Sequence, residues 1–212
     1  PEFMSLPDQR VNDGRWADLH AHFVAEAKDK EGDVLIIGDD HVALLEQSNF
    51  YRDQLAALHC LVFGVIGDTV DLVEWRMKNG EMPRISPKVI LLSAGHNDSL
   101  NSSPDDFLIK LKSLVSTVEE AQPQSTIFVM KLLPIGRCST SPTRQWIDTV
   151  NGRIESALSS TSASIIDINP TITNSEGVID PHLLFDFFHL TQEGYNRMFE
   201  NVHLALYEAL NP

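Results

Sequence analysis

Asp33-Val-Leu-Ile-Ile-Gly-Asp-Asp-His41 decides how the chain is read. Val34, Ile36 and Ile37 surround Leu35, and this apolar run passes directly into Gly38-Asp39-Asp40. A short uninterrupted apolar segment closed by a turn signal is the pattern of a strand buried on both faces, as in a parallel sheet. In open α/β sheets, ligands bind in the crevice beyond the carboxyl ends of the strands. Gly38, Asp39 and Asp40 are expected at that edge.

The pattern recurs outward from this stretch. Leu58 to Val65, Lys88 to Gly95, Thr126 to Leu133 and Ala163 to Ile168 are four further apolar runs of strand length. Between them lie helical spacings. Trp16, Leu19, His20, Phe23, Val24 and Ala27 repeat at three and four over residues 15–29. Short helices are expected over 50–57 and 69–78, the latter stopped by Asn79-Gly80. Ser103-Pro104-Asp105-Asp106 is a helix start with a capping serine, an N1 proline and acids at the positive dipole end. Its apolar stripe runs to about Ala121, and further helices are expected over 143–158 and from Thr191 onward. Five strands alternating with helices predict an α/β fold with a parallel sheet covered on both faces. With no repeat, linker or low-complexity segment, one domain over 4–212 is expected, and Pro1-Glu2-Phe3 before Met4 reads as a cloning remnant.

Thirty acids against 16 bases give the 212 residues a formal charge of -14, a poor surface for nucleic acid or anionic lipid. There is no signal peptide and no apolar run long enough to span a bilayer, so a cytoplasmic protein is the default expectation. Cys60 and Cys138 have no zinc or redox spacing, and Cys60, in an apolar run, reads as a small buried hydrophobe.

Three strands end in polar turns that contain glycine: Gly38-Asp-Asp-His41, Gly64-Val-Ile-Gly-Asp68 and Gly95-His-Asn-Asp98. Late in the chain, Asp186 and His189 are three apart, a spacing that on a helical turn lets a carboxylate orient an imidazole. Among eight histidines and many acids, one Asp-x-x-His by itself is weak.

Taken together, the four blocks resemble the SGNH (GDSL) hydrolases. More narrowly, they resemble the alpha-type catalytic subunits of intracellular platelet-activating factor acetylhydrolase, brain type Ib. Trp75-Arg-Met-Lys-Asn-Gly-Glu81, Pro87-Lys-Val-Ile90, Leu132-Leu-Pro134 and Phe185-Asp-Phe-Phe-His-Leu-Thr191 carry the narrower likeness. The resemblance implies a flavodoxin-like three-layer sandwich around a five-stranded parallel sheet. It implies oxyanion-hole donors at Gly67 (backbone N–H) and Asn97 (side-chain amide), with Asp186 as orienter and His189 as base. It also implies no cofactor, a homodimer or alpha–alpha dimer, and docking on a beta-propeller regulatory subunit of the lissencephaly type.

The first block departs from the family, which has serine where this chain has Asp40. Pocket positions depart too: His41, His96 and Phe188 stand where relatives commonly carry leucine, threonine and leucine. Attack by a carboxylate on an ester gives a mixed anhydride, and loss of a triad nucleophile costs on the order of 10⁶ in kcat. The expectation is a catalytically silent or severely impaired subunit with a binding or scaffold role, and with His189 protonated between Asp40 and Asp186. An enzyme using the Asp40–His189–Asp186 set on non-ester substrates is the alternative. A third reading is a metal site from Asp39, Asp40, His41, His96 and His189. An engineered replacement of serine would have left His41, His96 and Phe188 untouched, so those residues argue against it.

Overall fold

The computed structural model describes residues 7–10, 12–167 and 172–211. Helix α1 (Gly14–Asp29) is capped by the Asp13 carboxylate, which accepts from the Trp16 N–H, and it buries Trp16, Phe23 and Ala27. Strand β1 (Val34–Gly38) follows, then a single turn α2 (Asp40–Ala43), β2 (Cys60–Gly64), α3 (Val70–Arg76) and β3 (Val89–Ser93). The second half contains α4 (Pro104–Ala121), β4 (Thr126–Met130), α5 (Pro142–Asn151), α6 (Ile154–Ala157) and β5 (Ser164–Ile166), and ends in α7 (Gln192–Met198) and α8 (Glu200–Leu210). Ser103 caps α4 through its hydroxyl, which accepts from the Asp106 N–H, as the sequence leads one to expect.

All five strands are parallel, in the order β2-β1-β3-β4-β5, and are flanked by helices. Every residue of β1 and β3 is buried, as strands covered on both faces require. This order reverses direction between β1 and β3, and at such a switch point the two following loops part to leave a crevice. The Asp39–Asp40 turn and the Gly95–Asn97 turn therefore face each other at one sheet edge. Among the described residues, no helix is long and apolar enough to cross a membrane.

Three expectations differ in detail. The helix over 143–158 is two helices, broken at Gly152–Arg153, and the closing helix breaks at Phe199. Residues 50–57 are helical as expected but of uneven pitch, a wide π-helical segment Tyr51–Leu55 running into a 3-10 turn Ala56–Leu58. The expected end of the fifth strand, Ile168, and Pro1-Glu2-Phe3 lie outside the described residues.

A buried ion network joins the strand ends. Arg76 is fully buried and donates to Asp68 at 2.8 Å, to Glu81, and to the carbonyls of Gly38 and Phe63, both at 3.2 Å. Asp68 also accepts from the Trp16 indole at 2.7 Å, and Glu81 meets His20 at 2.7 Å. Thus one guanidinium ties the last residues of β1 and β2 to the loop that carries Gly67. Removing one partner of a buried ion pair leaves uncompensated charge and costs about 3–5 kcal/mol. We expect Arg76→Met to lower stability in urea melts by about this amount; a change below ~1 kcal/mol would show that the network is not what holds these ends.

Candidate functional site

The first turn positions two adjacent carboxylates that diverge. Asp39 caps α2, and its carboxylate accepts from the N–H groups of Gly95 (3.0 Å) and His96 (3.1 Å) and from the His96 ring at 3.0 Å. Burial favours its neutral form, but His96 and His41 beside it prevail and hold the carboxyl well below the usual range. Gly38 must be glycine here, because a Cβ would come within 2.0 Å of the Ser93 carbonyl.

Asp40 turns the other way, toward both expected hole donors and the expected base. Its Oδ2 accepts from the Gly67 N–H at 2.8 Å and the Asn97 Nδ2 at 2.7 Å. Its Oδ1 meets His189 Nε2 at 3.1 Å, and His189 Nδ1 meets Asp186 Oδ2 at 2.6 Å. Gly67 presents its N–H from a left-handed backbone (φ 79°), a conformation that glycine adopts without strain. Asn97 is held by a second bond from Nδ2 to the Asp68 carbonyl at 3.0 Å.

Asp186 and His189 do face one another, but on an irregular turn and not on a helix. Phe187 between them is left-handed (φ 61°), and Asp186 Oδ1 accepts from the N–H groups of Phe188 and His189. The carboxylate thus folds the turn that presents its own imidazole. Burial works against the charged imidazole, but hydrogen bonds to Asp186 and Asp40, and their charges, raise the His189 pKa above its ordinary value. Asp186 is lowered: burial opposes this, and the bonds from His189 outweigh it.

The hydroxyls of Ser48 and Ser93 and the thiol of Cys60 are engaged elsewhere. Ser48 donates to the Leu45 carbonyl and Ser93 to the Met130 sulfur. Burial pushes the Cys60 thiol up to about 12, and it donates to the Leu55 carbonyl.

His41, His96 and Phe188 pack on one another. The His41 and His96 rings meet edge-on at 4.2 Å, and His41 stacks on Phe188 at 5.6 Å. The two imidazoles are buried, so they fill space and do not line an opening. Donor atoms of Asp39, His41 and His96 lie within 4.8 Å of one another, so these three come together, apart from Asp40 and His189. They do not fit a cation. The Leu133 N–H donates to His96 Nε2 at 2.9 Å, so the hydrogen-bond pattern puts the His96 proton on Nδ1, where it faces Asp39 and His41. Burial lowers the His96 pKa despite Asp39, which favours that neutral ring. A metal needs the Nδ1 lone pair that this tautomer denies.

Sequence reading gave no part to Arg76, Asp68 or Leu133. Arg76 sits within the Trp75–Glu81 motif, so the segment was visible although the burial of its charge was not. The Leu133 amide leaves no residue-type signal.

A model of the GDSL-like lipase/acylhydrolase family matches residues 32–197. The chain is 36% identical over 212 residues to platelet-activating factor acetylhydrolase IB subunit alpha1 of Bos taurus, with 99% of this chain and 90% of the relative covered. It is 37% identical over 199 residues to the alpha2 subunit of Rattus norvegicus, covering 93% and 86%. A GDSL-like lipase of Bacteroides thetaiotaomicron shares the fold, with a TM-score of 0.75, 20% identity and coverage of 93% and 98%.

His189 should titrate above the ordinary imidazole value. Because its folded value is raised, its contribution to stability is fully present below the unfolded pKa and is lost as pH rises through the folded one. Asp40→Asn should move the imidazole midpoint back toward the ordinary value in an NMR titration. An unmoved midpoint would remove Asp40 from the ion pair.

Proposed function

The chain belongs to the GDSL-like lipase/acylhydrolase family, and from that premise we propose that it is an alpha-subunit-like relative of platelet-activating factor acetylhydrolase IB in which acyl-ester hydrolysis is silenced. One observation carries the reading: the carboxylate of Asp40 occupies both hole donors through Oδ2 and the imidazole through Oδ1. A substrate carbonyl oxygen would have to displace a permanent anion to reach Gly67 and Asn97. Donors accelerate a reaction only when they bind the transition state better than the ground state. Here they already bind the Asp40 carboxylate, and the two flanking carboxylates shift the base toward its protonated form.

The proposed role is that of a single-domain cytoplasmic binding subunit, forming a homodimer or alpha–alpha dimer and docking on a beta-propeller partner. Similarity over 90% and 86% of relatives that are named as subunits supports an assembled state. The filled positions His41, His96 and Phe188 favour loss of the acyl pocket together with loss of the nucleophile.

The direct assay is acetate release from platelet-activating factor and from p-nitrophenyl acetate. The chain should stay at buffer background. Since a missing triad nucleophile costs on the order of 10⁶ in kcat, Asp40→Ser should exceed the parent by at least ~100-fold, even with the pocket filled. Robust acetate release by the unaltered chain would overturn the proposal.

A further inference from the structure

In an ester hydrolase, the hole donors face the carbonyl oxygen of a substrate. In this chain they face Oδ2 of Asp40, so the carbon they would polarise is Asp40 Cγ itself. The imidazole lies against the other oxygen, Oδ1. An ester formed at Oδ1 would keep its carbonyl oxygen on Gly67 and Asn97 and its alkoxy oxygen beside His189 Nε2. That arrangement suits hydrolysis of an ester carried by the protein.

We infer that Asp40 is a nucleophile toward saturated carbon, and that the remaining site groups hydrolyse the alkyl ester it forms, with primary alkyl halides as the substrate class. The inference rests on the reading of Asp40 as occupant of the nucleophile seat. In the first step, a lone pair of Asp40 Oδ1 forms a C–O bond and the carbon–halogen bond breaks, its electron pair leaving with the halide. Alkylation removes the charge of Asp40, one of the two that keep the proton on His189, and the imidazole then releases that proton to solvent. In the second step, His189 takes a proton from water as the water oxygen bonds to Cγ, and the negative charge develops on Oδ2 between the two donors. Collapse breaks the Cγ–Oδ1 bond, and the departing alkoxide takes the proton from His189. Asp40, left as the acid, returns its own proton to His189, so the balance is halide plus water to alcohol, halide ion and one proton.

The placement of His189 also selects the leaving group. Displacement at saturated carbon expels its leaving group on the side opposite the attacking oxygen. His189 Nε2 lies on the attacking oxygen, so no imidazolium reaches the far side. A group that must be protonated as it leaves, such as an epoxide oxygen, is poorly served, whereas a halide needs no proton. Apolar side chains lie against the imidazole: exposed Phe185 stacks on His189 at 5.9 Å and Phe188 lies 4.9 Å from it. Exposed Ile66 directly precedes Gly67 in the chain.

The test incubates the chain with 1-bromobutane in heavy-oxygen water, measures bromide, and weighs the peptide containing Asp40 by mass spectrometry. Bromide release at least tenfold above Asp40→Asn is expected, with heavy oxygen entering the Asp40 carboxylate. In His189→Gln, a butyl group should remain on the Asp40 peptide after one equivalent of bromide. Bromide release no greater than that of Asp40→Asn, with neither label nor adduct, would overturn the inference. So would heavy oxygen found only in the butanol, or turnover of 1,2-epoxybutane in place of the bromide. Acetate release by Asp40→Ser, measured in parallel, separates the two readings: activity there alongside silence toward 1-bromobutane leaves the seat assignment standing and removes only the alkyl chemistry.

Discussion

A single carboxylate, accepting two N–H bonds on one oxygen and meeting an imidazole with the other, organises everything else at this sheet edge. Asp40 is 4% exposed, and an anion so placed needs compensation. Gly67, Asn97 and the His189 imidazole, whose pKa is raised, supply it together. The same three groups would serve an acyl transition state if a hydroxyl stood at this position. Groups arranged for a transient charge hold a permanent one equally well, and that turns a catalytic arrangement into a stable resting one.

The compensation depends on the fold at two removes. The reversal of strand order between β1 and β3 brings Asp40 and Asn97 to opposite sides of one crevice. The loop bearing Gly67 is fixed through Asp68, whose carbonyl orients Asn97 and whose carboxylate is bound by Arg76. Arg76 in turn donates to the carbonyls of Gly38, the last residue of β1, and Phe63, the last but one of β2. A buried charge therefore ties the hole to the core. Beside it, the His41–His96–Phe188 cluster fills volume with rings whose polar atoms are satisfied internally by Asp39, Leu133 and the Phe188 carbonyl. Two carboxylates adjacent in sequence thus hold separate networks, Asp39 binding the His96 ring and the Gly95 and His96 amides, Asp40 binding Gly67, Asn97 and His189.

Much of this was legible in the sequence because it rests on pattern. Continuous aliphatic runs mark buried parallel strands, and the Ser103-Pro104 start marks α4, since both signals are local. The break at Gly152 had a visible signal in the glycine itself. The turn joining Asp186 to His189 did not, because a left-handed phenylalanine runs against local preference and is imposed by the hydrogen bonds around it. Nor could residue type reveal that Arg76 is buried, since an arginine in a helix reads as solvated until its carboxylate partners are placed around it. The orientation of the Asp40 carboxylate, with one oxygen per function, is likewise a matter of geometry alone.

The Gly67 amide proton reports that orientation most directly. Bonded to an anionic oxygen at 2.8 Å, it should resonate far downfield in the amide NMR spectrum and move sharply upfield in Asp40→Ala. An amide shift that is ordinary in the parent chain and unchanged in the variant would contradict the claim that Asp40 occupies its own hole.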